Sequence, residues 1–277
     1  MNSKIDNGLD KNGKPVSLKS VLEKDINRLN SVSGEDYFDI DKSIHKIRKS
    51  LKSISAILLL FEVQFDRIEY LNRKSLIKSL SKQFGAVREP YVLLQTLSKI
   101  EEKLKCFNGS NLYELRYNLD LQYNSLVNDL IKRFGAIQDE KGAIIKLAGE
   151  LNKLDVDFKH KLLRERLLIS FQKSRRLFLK LNLSSSSHEY HKFRKWCKIF
   201  YHQMIVLNRI RQQKMSKKRK KLFKLTEYLG NEHDLQLLYQ YLSTHYPELS
   251  KLSEAIFMFK IKRLRKKALA LYPKISY

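Results

Sequence analysis

Residues 45–52 read HKIRKSLK, and residues 191–198 repeat the pattern as HKFRKWCK, with five of the eight positions identical. In an α-helix, where successive residues turn by about 100°, the first copy places four basic side chains in one stripe. These side chains are His45, Arg48, Lys49 and Lys52. The apolar residues of the segment gather on another side, as an amphipathic helix requires. The stretch therefore predicts a helix with one face in the core and one cationic face.

The second copy predicts the same cationic face, and its stripe continues for about three further turns. Its members are His191, Arg194, Lys195 and Lys198, followed by His202 and Arg209. A single basic face is usually a solvated surface, and like charges one turn apart destabilise a helix by a few tenths of a kcal/mol. Because the pattern occurs twice, we expect that an anion binds to it.

Composition indicates long helices and a polyanionic partner. The 277 residues include only 9 glycines and 4 prolines, and 55 Lys and Arg residues outnumber 29 Asp and Glu residues, which gives a net charge of +26. Few turn-forming residues favour an all-α fold over a β-sandwich. The charge fits nucleic acid, an anionic membrane surface or a phosphate polymer as partner.

The cysteines and the hydrophobic runs indicate in which cellular compartment the protein is expected. Cys106 and Cys197 are isolated, so we expect reduced thiols in an intracellular protein without a structural zinc site. The N-terminus lacks the apolar segment of a signal peptide, and the longest apolar run is too short to cross a bilayer. We therefore expect a cytoplasmic protein with no membrane span.

The repeat extends beyond the basic stretch. His45 precedes Gly85 by 40 residues, and His191 precedes Gly230 by 39. The segments around the two glycines also align, with Arg88-Glu89 in the first matching His233-Asp234 in the second. Each glycine is predicted to cap a helix, because glycine enters the left-handed region without strain. The sequence thus predicts two copies of a helix–corner–helix unit.

Periodicity gives the helix boundaries and the domain organisation. Helices are predicted at about 41–65, 70–84, 88–105, 111–134, 187–213, 216–229, 231–246 and 249–271, with a short and a long helix in the section 135–183. Residues 1–33 are polar; residues 17–30 are compatible with a short helix, but the segment is expected to form a flexible arm. One domain then covers 36–272, with a first helical repeat at 36–134, the middle helices at 135–183 and a second repeat at 184–272.

These motifs resemble the CHAD family, the conserved histidine α-helical domain. The family pattern is a helix opening His-x-x-Arg with further basic residues, followed by a Leu-Gly-x-x-Arg/His-Asp corner, and it occurs twice. Here Glu89 replaces the usual Asp in the first copy. The resemblance implies two four-helix bundles related by a pseudo-twofold axis, with the basic faces lining a central groove or pore. It also implies binding of inorganic polyphosphate, with localisation at polyphosphate granules and a separate triphosphatase-type protein as partner.

The predicted polyphosphate ligands are both basic stripes and a few cations from other helices. The stripe residues are His45, Arg48, Lys49, Lys52, His191, Arg194, Lys195, Lys198, His202 and Arg209. The additional residues are Lys78, Lys82, Lys221, Lys224 and Arg263. Because a bound phosphate chain favours the imidazolium form, we expect affinity to rise as the pH falls from about 7.5 to 6. Each His has an alternative role in capping or packing against a neighbouring helix.

Other functions find less support in the sequence. GxSxG, HExxH and P-loop motifs are absent, so we expect neither an enzyme nor a cofactor. His233-Asp234 is interpreted as a helix cap. Nucleic-acid binding fits the charge, but the basic stripes carry no interleaved aromatic residues for stacking, and no helix-turn-helix signature is present. A scaffold for an acidic protein is a third possibility.

Overall fold

The structure is a computed structural model that describes residues 18–34, 40–104, 109–135, 140–154, 160–210 and 217–275. These residues form nine α-helices and two short 3-10 turns, with no strand among them, which confirms the all-α prediction. The helices are α1 (Leu18–Gly34), α2 (Ile40–Phe61), α3 (Arg67–Leu104), α4 (Gly109–Gly135), α5 (Glu140–Asn152), α6 (His160–Phe178), α7 (Ser187–Ile210), α8 (Lys217–His245) and α9 (Pro247–Leu271).

The helix α1 corrects the expected arm over residues 1–33. It packs against α2 and α5 and buries a complete apolar stripe that includes Leu18, Leu22 and Leu29. Ser50 of α2 also donates a hydrogen bond to the Asp25 carboxylate over 3.2 Å. The polar residues that suggested an arm lie on the other faces of an amphipathic helix. Residues 1–17 lie outside the described residues.

The predicted corners at Gly85 and Gly230 are not corners. Helix α3 runs through Gly85 and Pro90, and α8 runs through Gly230. Each glycine costs a helix about 1 kcal/mol relative to alanine. That cost is outweighed by burial on both sides of the glycine, for example of Phe84 and Val87 in α3. The glycines therefore need an explanation other than capping.

The remaining helix predictions agree with the structure to within a few residues. The section 135–183 contains the short helix α5 and the longer α6. In α2 the predicted apolar stripe is buried, and it includes Ile44, Leu51 and Ile54. Among the described helices, none combines the length and the hydrophobicity that crossing a membrane requires.

The hydrophobic core consists of two clusters, and the helices α3, α4, α8 and α9 contribute to both. Along α3 the larger cluster ends at Val87 and the smaller one begins at Leu93. Along α8 the corresponding residues are Leu229 and Leu235. Both clusters combine helices from the two repeats. The junction between them thus coincides with the repeated segments Arg88-Glu89 and His233-Asp234.

Equivalent helices of the two repeats lie side by side. The helix α2, which carries the first basic stripe, packs against α7, which carries the second, and α3 packs against α8. The two stripes are 146 positions apart in sequence yet lie on helices in direct contact. A pseudo-twofold axis and a division into two four-helix bundles stay predictions.

Candidate functional site

Four cations from the two basic stripes come together where α2 meets α7. We call them the central cation cluster: Arg48 and Lys52 from α2, and Arg194 and Lys198 from α7. Their charges are close enough to act on one another, since Lys198, Arg48 and Arg194 all lower the pKa of Lys52. The packing of the two helices therefore converts two linear stripes into one concentrated positive site.

The two lysines of the cluster titrate far below the usual range. Desolvation by the surrounding protein, followed by the charge of Lys198, lowers the pKa of Lys52 to about 7. Desolvation and Arg194 lower the pKa of Lys198 to about 8. The Lys52 residue as a whole is exposed to solvent, and desolvation of its ammonium group is the main cause of the lowered pKa. Near neutral pH, Lys52 is thus divided between its charged and neutral forms.

The glycine of each repeat provides space for the arginine of that repeat. A Cβ atom at Gly85 would lie 3.0 Å from Nη1 of Arg48, and one at Gly230 would lie 3.6 Å from Nη2 of Arg194. The Nε atom of Arg194 is buried and has no hydrogen-bond partner among the described residues. The guanidinium groups therefore lie close to the backbones of α3 and α8. At least one of the donors of Arg194 stays without a partner there.

The first histidine of each stripe interacts with the residue three positions after the glycine of its own repeat. The pKa of His45 is lowered by desolvation and then by the charge of Arg88. The ring of His191 lies 4.7 Å from that of His233, between centroids, and its pKa is also lowered by desolvation and by Arg194. Both stripe histidines therefore resist protonation while no anion is bound.

The predicted cap at His233-Asp234 is wrong, because both residues lie in the middle of α8. Desolvation, followed by Arg194, lowers the pKa of His233 to about 4, so its ring is neutral at physiological pH. Such a ring serves as a packing partner of His191. The alignment of the two repeats predicts that Arg88 and His233 are equivalent. The predicted helix boundaries at 88 and 231, however, place both residues at the start of a helix and not inside α3 and α8.

Carboxylates partly balance the cluster. The negative charge of Glu89 raises the pKa of Arg48. The negative charge of Asp234 likewise raises the pKa values of Arg194, Lys198 and Lys52. Desolvation nevertheless raises the pKa of Asp234. These two acids occupy equivalent positions, four residues after the glycine of each repeat. They are internal counter-ions with which any bound anion must compete.

The other predicted ligands take three kinds of position. Lys49 and Lys195 are exposed beside the histidines and lower their pKa values. Lys78 and Lys82 are also exposed, seven and three residues before Gly85 and hence on the same side of α3. His202 is half-buried, with its ring 5.5 Å from that of Tyr201, between centroids.

Three predicted ligands, Lys221, Lys224 and Arg263, have their described contacts away from the central cation cluster. Lys221 lies nine residues before Gly230 and hence on the opposite side of α8. Its ammonium group donates a hydrogen bond to the Lys274 carbonyl over 3.4 Å. Lys224 lies over a tyrosine ring, 5.8 Å from the centroid. Arg263 lines a separate cavity. The side chain of Arg209 lies outside the described residues.

This cavity lies between α3, α8 and α9 and has a volume of about 420 Å³. We call it the side cavity. Its cationic lining residues are Lys99, Lys260, Arg263 and Lys267. Neither Lys99 nor Lys260 was predicted from the sequence, whereas the position of Lys267 opposite the apolar stripe of α9 is compatible with either ligand contact or solubility. The spacing of 260, 263 and 267 indicates one face of α9, but only the tertiary fold places that face opposite Lys99.

The described site concentrates cations and lacks an accessible thiol nucleophile among the residues that the structure describes. Its potential nucleophile, the Cys197 thiol on α7, is fully buried, and burial raises its pKa well above the usual value. Within the described part of the chain, no group of three or more His, Cys, Asp or Glu side chains is arranged to hold a metal ion. What the site offers is concentrated positive charge.

Comparison with known proteins identifies relatives in sequence and in structure. The family model of the CHAD domain matches residues 32–243. The fold is similar to that of PptA from Streptomyces chartreusis, with a TM-score of 0.74 and 12% identity over 92% of this chain and 96% of that chain. It is also similar to the CHAD domain from the plant Ricinus communis, with a TM-score of 0.53 and 17% identity over 90% and 83% of the two chains. No curated protein matches the chain at a significant level.

Proposed function

The chain belongs to the CHAD domain family, and from this premise we propose that it binds inorganic polyphosphate at the central cation cluster. The observation that carries the proposal is the convergence of Arg48, Lys52, Arg194 and Lys198 from two separate helices. Bringing like charges together costs free energy in the unbound protein. A bound chain of phosphates reverses that cost, because each cation then faces an anion.

The donors of the cluster suit phosphate oxygens. Arg48 and Arg194 each present a planar fork that binds two oxygens, while Lys52 and Lys198 provide mobile point charges. A charge-assisted hydrogen bond contributes about 1.5–3 kcal/mol when it is well made. The Nε atom of Arg194 is buried without a hydrogen-bond partner among the described residues, so the protein leaves one donor of this guanidinium unused. Several such bonds along one chain would give tight binding.

The geometry favours a narrow polyanion over a duplex. Because α2 and α7 pack directly against each other, their axes are about 8–10 Å apart. Cations on both helices are able to face a single phosphate chain from two sides. A nucleic-acid duplex is too wide to enter between the side chains of two helices in contact, so it would meet only their outer ends.

Binding without catalysis is part of the proposal. The cluster supplies cations but pairs none of them with an activated nucleophile, so chemistry on polyphosphate would be carried out by a separate protein, such as a triphosphatase-type enzyme. In this view the chain acts in the cytoplasm, where it holds polyphosphate or associates with polyphosphate granules. Inhibition or stimulation of such an enzyme would then depend on the central cation cluster.

A comparison of ligands tests the proposed function. Long-chain polyphosphate, duplex DNA, single-stranded RNA and poly-glutamate would be titrated at about 150 mM salt, where long-range charge effects are screened. We expect polyphosphate to bind at least about 100-fold more tightly than the others at equal charge concentration. Equal or tighter binding of nucleic acid would favour the nucleic-acid alternative, and tighter binding of poly-glutamate would favour an acidic protein partner.

A further inference from the structure

We propose that the side cavity between α3, α8 and α9 binds a nucleoside triphosphate, at a site that adjoins the central cation cluster through Asp234 but uses none of the four cations of that cluster. The proposal goes beyond polyphosphate binding and does not depend on it. It rests on three features of the cavity lining: a group of cations, an apolar floor, and two polar side chains that suit a sugar and a base.

The cations of the side cavity form a compact phosphate-binding group. Lys260, Arg263 and Lys267 are spaced so that they share one face of α9, and Lys99 faces them from α3. Desolvation, followed by the charges of Lys103 and Arg263, lowers the pKa of Lys260, in keeping with several cations lying close together here. Arginine binds phosphate oxygens in a fork, and lysines add point charges. Such a set matches two or three linked phosphates.

The floor of the cavity is apolar, and a bare phosphate chain gains nothing from contact with apolar side chains. It is formed by Ile100, Leu235 and Leu264, and the first two are buried in the smaller hydrophobic cluster. Aliphatic side chains stabilise the flat face of a ring by removing it from water. The ligand is therefore expected to carry a ring as well as phosphates, and the volume of about 420 Å³ lies within the range of small-molecule sites.

Apart from Thr96, whose hydroxyl donates to the Val92 carbonyl, two polar residues complete the lining. The Asp234 carboxylate accepts hydrogen bonds, and a carboxylate is the group that commonly binds ribose hydroxyls in nucleotide sites. The Asn231 amide is exposed and offers both a donor and an acceptor for the edge of a base. Phosphates on the cations, ribose at Asp234 and base on the aliphatic floor account for each kind of group in the lining.

The test is a titration of the full chain with ATP, GTP and inorganic tripolyphosphate. The variant Lys260→Gln with Lys267→Gln removes two cavity cations. Its matched control, Lys262→Gln with Lys266→Gln, removes two exposed cations of the same helix that do not line the cavity. We expect saturable nucleotide binding that falls about tenfold or more in the cavity variant and less than about twofold in the control. Tripolyphosphate should bind about tenfold more weakly than the nucleotide.

Three results would overturn the proposal: no saturable nucleotide binding, an equal loss in the control variant, or equal affinity for tripolyphosphate. The variant Lys52→Gln with Lys198→Gln separates this site from the central cation cluster. It should reduce long-chain polyphosphate binding and leave nucleotide affinity within about threefold of the native value. If it abolishes nucleotide binding instead, the nucleotide occupies the cluster and the side cavity is not a nucleotide site.

Discussion

The guanidinium of Arg48 lies against Gly85 on the neighbouring helix, where a Cβ atom would be only 3.0 Å from its Nη1 atom. The equivalent pair in the second repeat, Arg194 and Gly230, leaves more room, with a corresponding distance of 3.6 Å. The first distance is too short for an unshifted side chain, and the second is an ordinary van der Waals contact. A substitution of Gly85 by alanine is thus expected to displace Arg48, whereas the same substitution at Gly230 leaves room for Arg194.

The substitutions Gly85→Ala and Gly230→Ala should therefore differ. Alanine within a helix stabilises by about 0.5–1 kcal/mol relative to glycine, and Gly230→Ala should show this gain in urea unfolding. Gly85→Ala should gain less, because Arg48 has to move, and it should weaken polyphosphate binding by about threefold or more. If both variants bind and unfold alike, the contact with Arg48 has no role in holding the ligand site.

Polyphosphate affinity should rise as the pH falls. In the free protein, Lys52 and Lys198 have pKa values of about 7 and 8. A bound phosphate chain adds negative charge and raises both values, so binding takes up protons between the free and bound pKa values. Affinity is therefore expected to increase from about pH 9 to pH 7, and His45 and His191 should continue the rise below pH 7.

The double variant Lys52→Arg with Lys198→Arg provides the control for this pH dependence. Arginine stays charged over the whole range, so the variant should retain affinity and lose the dependence between about pH 7 and 9. Titrations at constant ionic strength, in two buffers of different ionisation enthalpy, would measure the proton uptake directly. A variant with the same slope as the native protein would show that these lysines do not contact the ligand.

Lys52 should also be unusually reactive toward amine-directed acylating reagents. A pKa of about 7 leaves much of this amine neutral and nucleophilic at pH 7.5, whereas exposed lysines of ordinary pKa, near 10.4, are almost fully protonated. Mass spectrometry after brief acylation should find Lys52 modified well before Lys262, and polyphosphate should suppress its modification. Equal rates at both sites, or a rate unaffected by polyphosphate, would contradict the account of the cluster.

The buried pair of Arg265 and Glu232 should support stability and not binding. Arg265 contacts the Glu232 carboxylate at 2.8 Å and donates to the carbonyls of Leu183 and Ser185 ahead of α7. Arg265→Met leaves a buried carboxylate and two carbonyls without this partner, and it should destabilise the fold by about 3–5 kcal/mol. Chemical unfolding measures the loss. Polyphosphate affinity of the folded fraction should stay within about threefold of native, and a larger fall would place this pair in the binding site.

Local patterns were enough to predict the all-α class, the basic faces of α2 and α7, and the matched spacing of the repeats. They failed where two physical causes give the same local signal. Gly85 and Gly230 lack a Cβ atom, which suits a helix cap and equally suits close approach by another side chain. Only the positions of Arg48 and Arg194 on the neighbouring helices separate the two explanations.

The other misses also depend on tertiary contacts. The polar composition of residues 1–33 concealed the apolar stripe of α1, which is buried because α2 and α5 offer it a partner surface. The side cavity depends on α3 and α9 approaching each other, and no sequence pattern links Lys99 to Lys260. The titration behaviour of Lys52 likewise follows from the contact between α2 and α7.

The most direct test of the central claim is polyphosphate binding by two charge-matched variants. One carries Arg48→Ala, Lys52→Ala, Arg194→Ala and Lys198→Ala, and the other carries Arg175→Ala, Arg176→Ala, Lys180→Ala and Lys262→Ala at exposed positions. With both variants helical by circular dichroism, we predict a loss of about 100-fold or more in the first and less than about threefold in the second. Equal losses in the two variants would show that net charge, and not the central cation cluster, binds the polymer.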